Sequence, residues 1–307
     1  MISFANSLNW FAHDNLKKGS KALLPLFIVM TFEYVCFSIT NLCNQSCKYC
    51  YRIDSQNEFM DKEVYLSCLK KLKTLGCKMI NITGGEPLLH SEWRSFVRIA
   101  HEMGFHVVLS SNGLLLDFDD EILNFVDEIA IPLDGSCNRV NALYRGDGHF
   151  DSIVGLIEKY KTNKYHFKLK IGTVVTRNNC DDLPAFIPLV ENADIFWRLF
   201  FCKTKGEYNR ISNDELLDRD EFSKLVDKIH EQIPPSVHFL YECSIEDGEG
   251  IKETTLISPS GCIYVSDGIE DIFIGDLHSS SVDEILNLVS KSGHKVQGHK
   301  LYFNEVI

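Results

Sequence analysis

Between residues 35 and 201 short apolar runs alternate with helical patterns, and no other feature of this 307-residue chain constrains its fold as tightly. Strands are expected at 35–40, 79–83, 105–110, 128–133, 167–176 and 195–201. Helices are expected at 61–75, 92–103, 118–126, 150–160 and 183–190, the last broken near Pro184 and Pro188. In the first of these helices Val64, Cys68, Leu72 and Leu75 form one stripe, and Gly76 supplies the stop. Six β/α units in succession dictate parallel strands joined by right-handed crossovers. The expected fold class is α/β, a partial (β/α)6 barrel, in which function collects at the C-terminal ends of the strands.

The unusual residues fall at those ends. The first strand runs into Cys43-Asn44-Gln45-Ser46-Cys47-Lys48-Tyr49-Cys50, and the second into Gly84-Gly85-Glu86-Pro87. Ser111-Asn112-Gly113 follows the third strand, and Asp134-Gly135 closes the fourth. Beyond Phe201 the alternation stops. A helix at 218–233 precedes Pro234-Pro235, strands at 254–258 and 262–266 flank Pro259-Ser260-Gly261 as a hairpin, and 282–289 forms a closing helix. The expected organisation is an N-terminal segment (1–34), a core (35–205) and a small C-terminal α+β extension of helix, hairpin and helix (206–307).

With 45% hydrophobic residues the chain has apolar area for a large core, which excludes a disordered protein. A net charge of −12 argues against extensive non-specific nucleic-acid binding, which needs a basic face. Eleven cysteines, an odd number, do not suit a secreted disulfide framework. Residues 1–18 have no apolar core beside a basic flank and make a poor secretory signal. The apolar run at 22–39 contains Pro25 and Glu33, and a mid-helix acid costs about 2.5–3.5 kcal/mol on insertion into a bilayer. Its β-branched and aromatic residues suit a buried strand, so no membrane association is expected. The expected setting is a reducing cytoplasm, with thiols free or bound to metal.

Three thiols within eight residues of one loop, Cys43, Cys47 and Cys50, are close enough to ligate one metal centre. A [4Fe–4S] cluster normally takes four cysteines; three hold three irons and leave the fourth to a small chelating ligand. Structural zinc would require a fourth protein ligand, and a distant Cys or His keeps that alternative open.

This C-x3-C-x2-C spacing, with Tyr49 just before the last cysteine, resembles the hallmark of the radical S-adenosylmethionine (SAM) enzymes. Thr83-Gly84-Gly85-Glu86-Pro87 resembles that superfamily's second-strand motif, and Ser110-Ser111-Asn112-Gly113 is similar to its third-strand T-T-N-G. Ile131-Pro132-Leu133-Asp134-Gly135 with Tyr144-Arg145-Gly146 resembles the fourth-strand segment, and Thr173-Val174-Val175-Thr176 with Asn179 the fifth. The resemblance covers residues 35–205. It implies a partial barrel in which a [4Fe–4S] cluster, ligated by Cys43, Cys47 and Cys50, cleaves SAM reductively. The products would be methionine and a 5′-deoxyadenosyl radical that takes hydrogen from a substrate. It also implies an electron donor such as a flavodoxin or ferredoxin. By the same resemblance Gly84 and Gly85 admit the methionine moiety and Glu86 accepts from its ammonium. Ser111 and Asp134 meet ribose hydroxyls, Tyr49 lies against the adenine, and Arg145 takes the carboxylate. Pro132 stands where many relatives have serine.

Among the other cysteines, Cys36, Cys68 and Cys77 read as small core residues. Cys202, Cys243 and Cys262 are candidate hydrogen donors to a substrate radical, against the reading that they are inert buried thiols. Arg198, Lys203 and Lys205 form a basic patch that suits a carboxylate or phosphate, or a solvated strand end. Residues 258–262 with Gly275-Asp276-Leu277 resemble the tail of peptide-modifying radical SAM proteins, in which further cysteines bind auxiliary clusters. Cys243 and Cys262 are too few for one, so a single cluster is expected. The expected substrate is a peptide, modified by crosslinking or epimerisation. The alternatives are a nucleotide, sugar or other small metabolite, and a non-catalytic iron–sulfur or zinc module.

Overall fold

A computed structural model describes residues 32–51, 58–204, 206, 209–241, 254–266 and 271–292. Cys243, Lys205, and most of the expected N-terminal segment and tail lie outside the described residues. Ten strands form one sheet: β1 (Tyr34–Ser38), β2 (Met79–Thr83), β3 (His106–Ser110), β4 (Glu128–Pro132), β5 (Lys168–Val175), β6 (Ile195–Phe201), β7 (His238–Tyr241), β8 (Thr254–Ile257), β9 (Cys262–Ser266) and β10 (Asp271–Asp276). The spatial order is β10-β9-β8-β1-β2-β3-β4-β5-β6-β7. From β8 to β7 every neighbouring pair is parallel; the β8–β9 and β9–β10 pairs are antiparallel, so β9 runs against the other described strands. The six strands expected from the sequence are all present. The C-terminal hairpin pairs β8 with β1, Val35 opposite Thr255, so the sheet continues through it.

The helices are α1 (Lys62–Thr74), α2 (Trp93–Glu102), α3 (Asn138–Arg145), α4 (His149–Thr162), α5 (Ile187–Val190), α6 (Arg219–His230) and α7 (Val282–Ser292). Local chemistry sets their ends. Asp61 caps α1 by accepting from the Glu63 N–H at 2.7 Å, and Asp218 and Glu221 form a reciprocal capping box on α6. The helix expected at 118–126 is a single 3-10 stretch, Glu121–Phe125, started by the Asp120 side chain. Three elements were not foreseen: α3, β7 and β10. The first two span eight and four residues, too few for periodicity to declare itself, and β10 carries a bulge between Phe273 and Gly275 that breaks alternation.

Alternation along the strands gives the sheet two unlike faces. Val35, Phe37, Ile80, Ile82, Val107, Leu109, Ile129, Leu169, Ile171, Ile195, Trp197 and Leu199 are completely buried beneath the helices. Tyr65, Leu69 and Leu72 of α1, Phe96 of α2 and Ile153 and Ile157 of α4 cover them, and Phe186 stacks on Trp197 at 5.3 Å. Each such aliphatic side chain contributes about 1.5–3 kcal/mol through burial. The opposite face carries Tyr34, Cys36, Asn81, Ser110, Glu128, Lys168, Lys170 and Arg198. Cys36 is therefore not the core thiol expected from the sequence. Val35 and Phe37 take the helix side and turn Cys36 to the other face, where its thiol donates to the Tyr34 hydroxyl at 3.5 Å.

That second face is the inside of a curled sheet. In a flat sheet β6 would lie about 24 Å from β1, five strand spacings of roughly 4.8 Å away. Burial raises the pKa values of the Tyr34 hydroxyl and the Cys36 thiol, and the Arg198 charge on β6 counters it at both groups. So long a reach requires β6 to curve back toward β1. At the interior floor Glu128 is almost fully buried and pairs with Lys170 and with His106 at 3.1 Å. Burial pushes its carboxyl up, but His106 and Lys170 outweigh it and leave the pKa below its ordinary value. Among the described residues no helix is long and apolar enough to cross a membrane.

Replacing one partner of a buried ion pair strands the other. Glu128→Gln is expected to cost about 3–5 kcal/mol of unfolding free energy, measured by urea denaturation at neutral pH.

Candidate active site

The loop that follows β1 holds Cys43, Cys47 and Cys50, all half-buried, with no disulfide among them. It is fixed from one side by the turn after β2. The Gly85 N–H donates to the Thr40 carbonyl at 2.7 Å and the Glu86 N–H to the Leu42 carbonyl at 2.8 Å. A side chain at Gly84 would begin 2.3 Å from the Thr40 oxygen, and one at Gly85 2.3 Å from the Leu42 oxygen. Two glycines are thus what allows the turn to lie directly on the chain that leads into the cysteines. N–H donors also reach the thiols: Gln45 N–H to Cys43 Sγ at 3.4 Å, and Arg145 Nη1 to Cys47 Sγ at 3.3 Å. Among the described residues no three His, Cys, Asp or Glu side chains are gathered tightly enough for a single ion. A four-iron cube holds its thiolates on separate corners and uses a wider triangle.

Glu86 is completely buried. Its Oε1 accepts from the Leu88 N–H at 3.1 Å and the Ser111 hydroxyl at 2.9 Å, and its Oε2 from the Asn112 N–H at 2.7 Å. Burial raises its pKa, and these three donors oppose the rise. Among the described residues no Lys, Arg or His is paired with it, although a buried carboxylate normally has a cation. The Ser111 hydroxyl donates to Glu86 and accepts from the Gly113 N–H, which leaves one acceptor lone pair. The structure thus joins Glu86 and Ser111, which the sequence separates by 25 positions, into one unit.

Asp134, Arg145 and Tyr49 make a second unit. The Asp134 carboxylate is completely buried and receives Arg145 Nε at 2.5 Å, the Val174 N–H at 2.8 Å and the Tyr49 hydroxyl. Arg145 also lies over the Tyr49 ring, 5.0 Å from its centre. Burial opposes the Arg145 charge, but Asp134, Tyr49 and Cys47 outweigh it and raise the pKa further above its ordinary value. Arg145 is therefore a half-buried, ion-paired residue ending α3.

The candidate hydrogen donors separate. Cys202 is buried with Tyr49, Tyr144 and Ile211, and burial, then Asp134 and Glu215, push its thiol up to about 12. Cys262 lies beside Cys68 of α1, and Cys243 is outside the described residues. Cys68 and Cys77 are core residues. Sequence reasoning missed Asn112, Asn141 and His149. Asn112 Nδ2 donates to Asn44 of the cysteine loop at 2.6 Å. His149 Nε2 meets the Asn112 carbonyl at 3.0 Å, and its Nδ1 meets Asn141 Nδ2 at 3.0 Å. Asn112 stood inside a quoted motif, whereas nothing local marks a lone histidine whose partners lie 8 and 37 residues away.

A curled parallel sheet whose C-terminal rim joins a thiol loop, a glycine turn and a buried carboxylate without a cation defines a cofactor-holding α/β partial-barrel protein. Residues 37–187 match the radical SAM superfamily. A GTP 3′,8-cyclase of Chlorobaculum tepidum is 30% identical over 173 residues, which is 54% of this chain and 52% of that protein. An S-adenosylmethionine-dependent nucleotide dehydratase of Fibrobacter sp. is 24% identical over 286 residues, covering 82% of this chain and 83% of the relative. Among solved structures, Streptococcus suis SuiB bound to its precursor peptide SuiA superposes with a TM-score of 0.72 at 15% identity, over 92% of this chain and 70% of SuiB. The chain spans about half the length of the first curated relatives it matches, 52% and 57%. Residues 37–187 are a radical SAM domain, and the cofactors of that superfamily are a [4Fe–4S] cluster and SAM. The residues present fit that pair, with three thiols on one loop and a buried carboxylate that lacks the cation an α-ammonium supplies.

Burial first, and Arg145 second, lower the His149 pKa from its ordinary value of about 6.5 to about 4. A group held neutral in this way stabilises the fold fully above the unfolded value, and that contribution is lost as pH falls through the folded one. Between pH 7 and 4 the wild type is expected to lose about 3 kcal/mol that His149→Gln does not lose, measured by urea unfolding of the two proteins at each pH.

Proposed function

We propose that this chain cleaves SAM reductively and turns the resulting chemistry on an anionic small molecule of the nucleotide class. The observation that carries the substrate class is the charge of the barrel interior. In β1–β7 the only Asp, Glu, Lys or Arg residues are Lys168, Lys170 and Arg198 against Glu128, and all four line the inner face. A cationic interior inside a chain of net charge −12 suits phosphate or carboxylate, with Arg198 offering a planar fork of donors. The relatives named as a GTP cyclase and a nucleotide dehydratase support the same class.

In this reading Cys43, Cys47 and Cys50 hold three irons of the [4Fe–4S] cluster, and Glu86 receives the SAM ammonium. Gly84 and Gly85 seat the turn on the cysteine loop, so that its backbone meets the methionine moiety, and Arg145 takes its carboxylate. Tyr49 flanks the adenine, and Ser111 keeps Glu86 oriented while it meets the ribose. When bound, the cluster and SAM supply a 5′-deoxyadenosyl radical that removes a hydrogen atom from the substrate. Asp134, completely buried and already bonded to Arg145 and Tyr49, positions those two side chains. Residues 35–205 form the catalytic core. The ten cysteines of the described residues are all free, which supports a reducing, cytoplasmic setting. A peptide is the second reading, favoured by the fold shared with peptide-bound SuiB over 92% of this chain.

Anaerobically reconstituted protein with dithionite and SAM is expected to release 5′-deoxyadenosine, and the Cys43/Cys47/Cys50→Ala protein to release none. Ribose-deuterated nucleoside triphosphates are expected to pass deuterium into that product. Arg198→Met is expected to raise the nucleotide KM about tenfold with a smaller change in kcat, as loss of one charged contact does. Deuterium arriving only from labelled peptide would establish the second reading. Undiminished SAM cleavage by the triple variant would remove both.

A further inference from the structure

The cysteine loop has two sides. One lies against the Gly84-Gly85-Glu86 turn and Asn112 and faces the interior. The other opens on the protein surface as a shallow depression of about 320 Å³, lined by Ser46, Lys48, Leu143, Gly146 and Arg210. The backbone of the loop forms one wall. Lys48 N–H donates to the Tyr144 carbonyl at 3.1 Å, and Arg210 N–H donates to the Lys48 carbonyl at 2.7 Å. Arg210 Nη2 clasps the Ser46 carbonyl at 2.7 Å and its hydroxyl at 3.1 Å. Cys47, half-buried, lies between Ser46 and Lys48 in the chain, with Arg145 Nη1 3.3 Å from its sulfur.

The surface has an apolar centre and a basic rim. Leu143 is 51% exposed. Arg139 lies one helical turn earlier on α3, on the same face, and is exposed. Among the described residues neither Arg139 nor Arg210 is paired with a carboxylate. Lys48 is held by Glu215 at 2.5 Å, and Asp147, just beyond Gly146, is an acid beside the rim.

We infer that this depression is the docking site of a small acidic electron-donor protein of the flavodoxin type, an inference that rests on the radical SAM function proposed above. In an acidic chain an arginine-rimmed apolar spot steers a negatively charged partner and rejects most others. Redox encounters use the smallest class of interface, below about 1,200 Å², so a shallow surface suffices. The position completes the electron's path. One electron would leave the flavin hydroquinone, which becomes the semiquinone, and pass to the iron–sulfur centre that Cys43, Cys47 and Cys50 would hold behind this wall.

The test uses FMN fluorescence of a bacterial flavodoxin titrated with the full chain, and SAM cleavage by the reconstituted holoenzyme driven by flavodoxin or by dithionite. For Arg139→Glu/Leu143→Asp the flavodoxin affinity is expected to fall about tenfold or more, with the KM for flavodoxin rising in step. Dithionite-driven cleavage should stay within about twofold of wild type. Wild-type affinity should weaken once ionic strength passes about 0.1 M, where the screening length is near 10 Å. Arg139→Glu alone, at an exposed helix position, repeats the measurement where folding is not at risk. Unchanged affinity in both variants, or equal losses with flavodoxin and dithionite, overturns the docking site. Absence of wild-type cleavage with either reductant would sink the enzymatic reading instead, and the fluorescence titration, which needs no turnover, still decides the surface.

Discussion

A carboxylate that meets no cation among the described residues, sealed at the rim of a curled sheet, is the constraint around which the candidate site is arranged. Glu86 is completely buried, and three donors fix both of its oxygens. Hydrogen bonds orient such a group but do not neutralise it, and burial of an unpaired charge is costly. The protein bears that cost at one place, in a turn whose two glycines bring it onto the cysteine loop. On the function proposed here, a ligand that carries an ammonium beside a group able to chelate iron would satisfy Glu86 and the thiol loop at once. This pairing explains why the turn and the loop are bonded backbone to backbone.

The sheet keeps its charges on one side. Every strand from β1 to β6 sends aliphatic or aromatic residues to the helices, and that apolar layer supplies the stability. The inner face is left to Tyr34, Asn81, Ser110, Lys170 and Arg198, side chains that a core would not accept without partners. Glu128 shows how the floor is closed: one carboxylate takes both His106 and Lys170, so the deepest charges are compensated locally. Polar residues higher up, such as Asn81 with Ser110 at 2.8 Å and with Tyr34 at 2.9 Å, form a network against which a substrate would lie.

The sheet was legible because its signal is periodic and long: apolar runs of five to eight residues, each followed by a helix, leave little choice of topology. The cysteine loop and the glycine turn were legible because their chemistry is contiguous in sequence. What was not legible is who bonds to whom across the rim. Asp134 reads as a ribose contact from its motif, but in the fold three donors from α3, β5 and the cysteine loop converge on it. Cys36 reads as a core thiol because it stands in an apolar run, and only the strand's phase turns it inward. His149 gives no sequence signal, since its partners Asn112 and Asn141 become neighbours only when β3 and α3 pack together.

The eight residues of α3 show why a short element can escape pattern reading and still organise a site. Val140, Asn141 and Tyr144 are buried, so the helix is held by packing on one side. Gly146, at a φ of +87°, ends it and aims the last carbonyls at the cysteine loop, where Tyr144 O accepts the Lys48 N–H and Arg145 O accepts from Gln45 Nε2 at 3.1 Å. A cation at a helix C-terminus is favoured by the helix dipole, and Arg145 occupies that position. From there one guanidinium bonds both Asp134 and Cys47, tying the rim of β4 to a candidate iron ligand. Leu143, between these residues, points the other way into solvent. A helix of two turns therefore fixes the inner and outer surroundings of the same loop, and a change in its register would disturb both together.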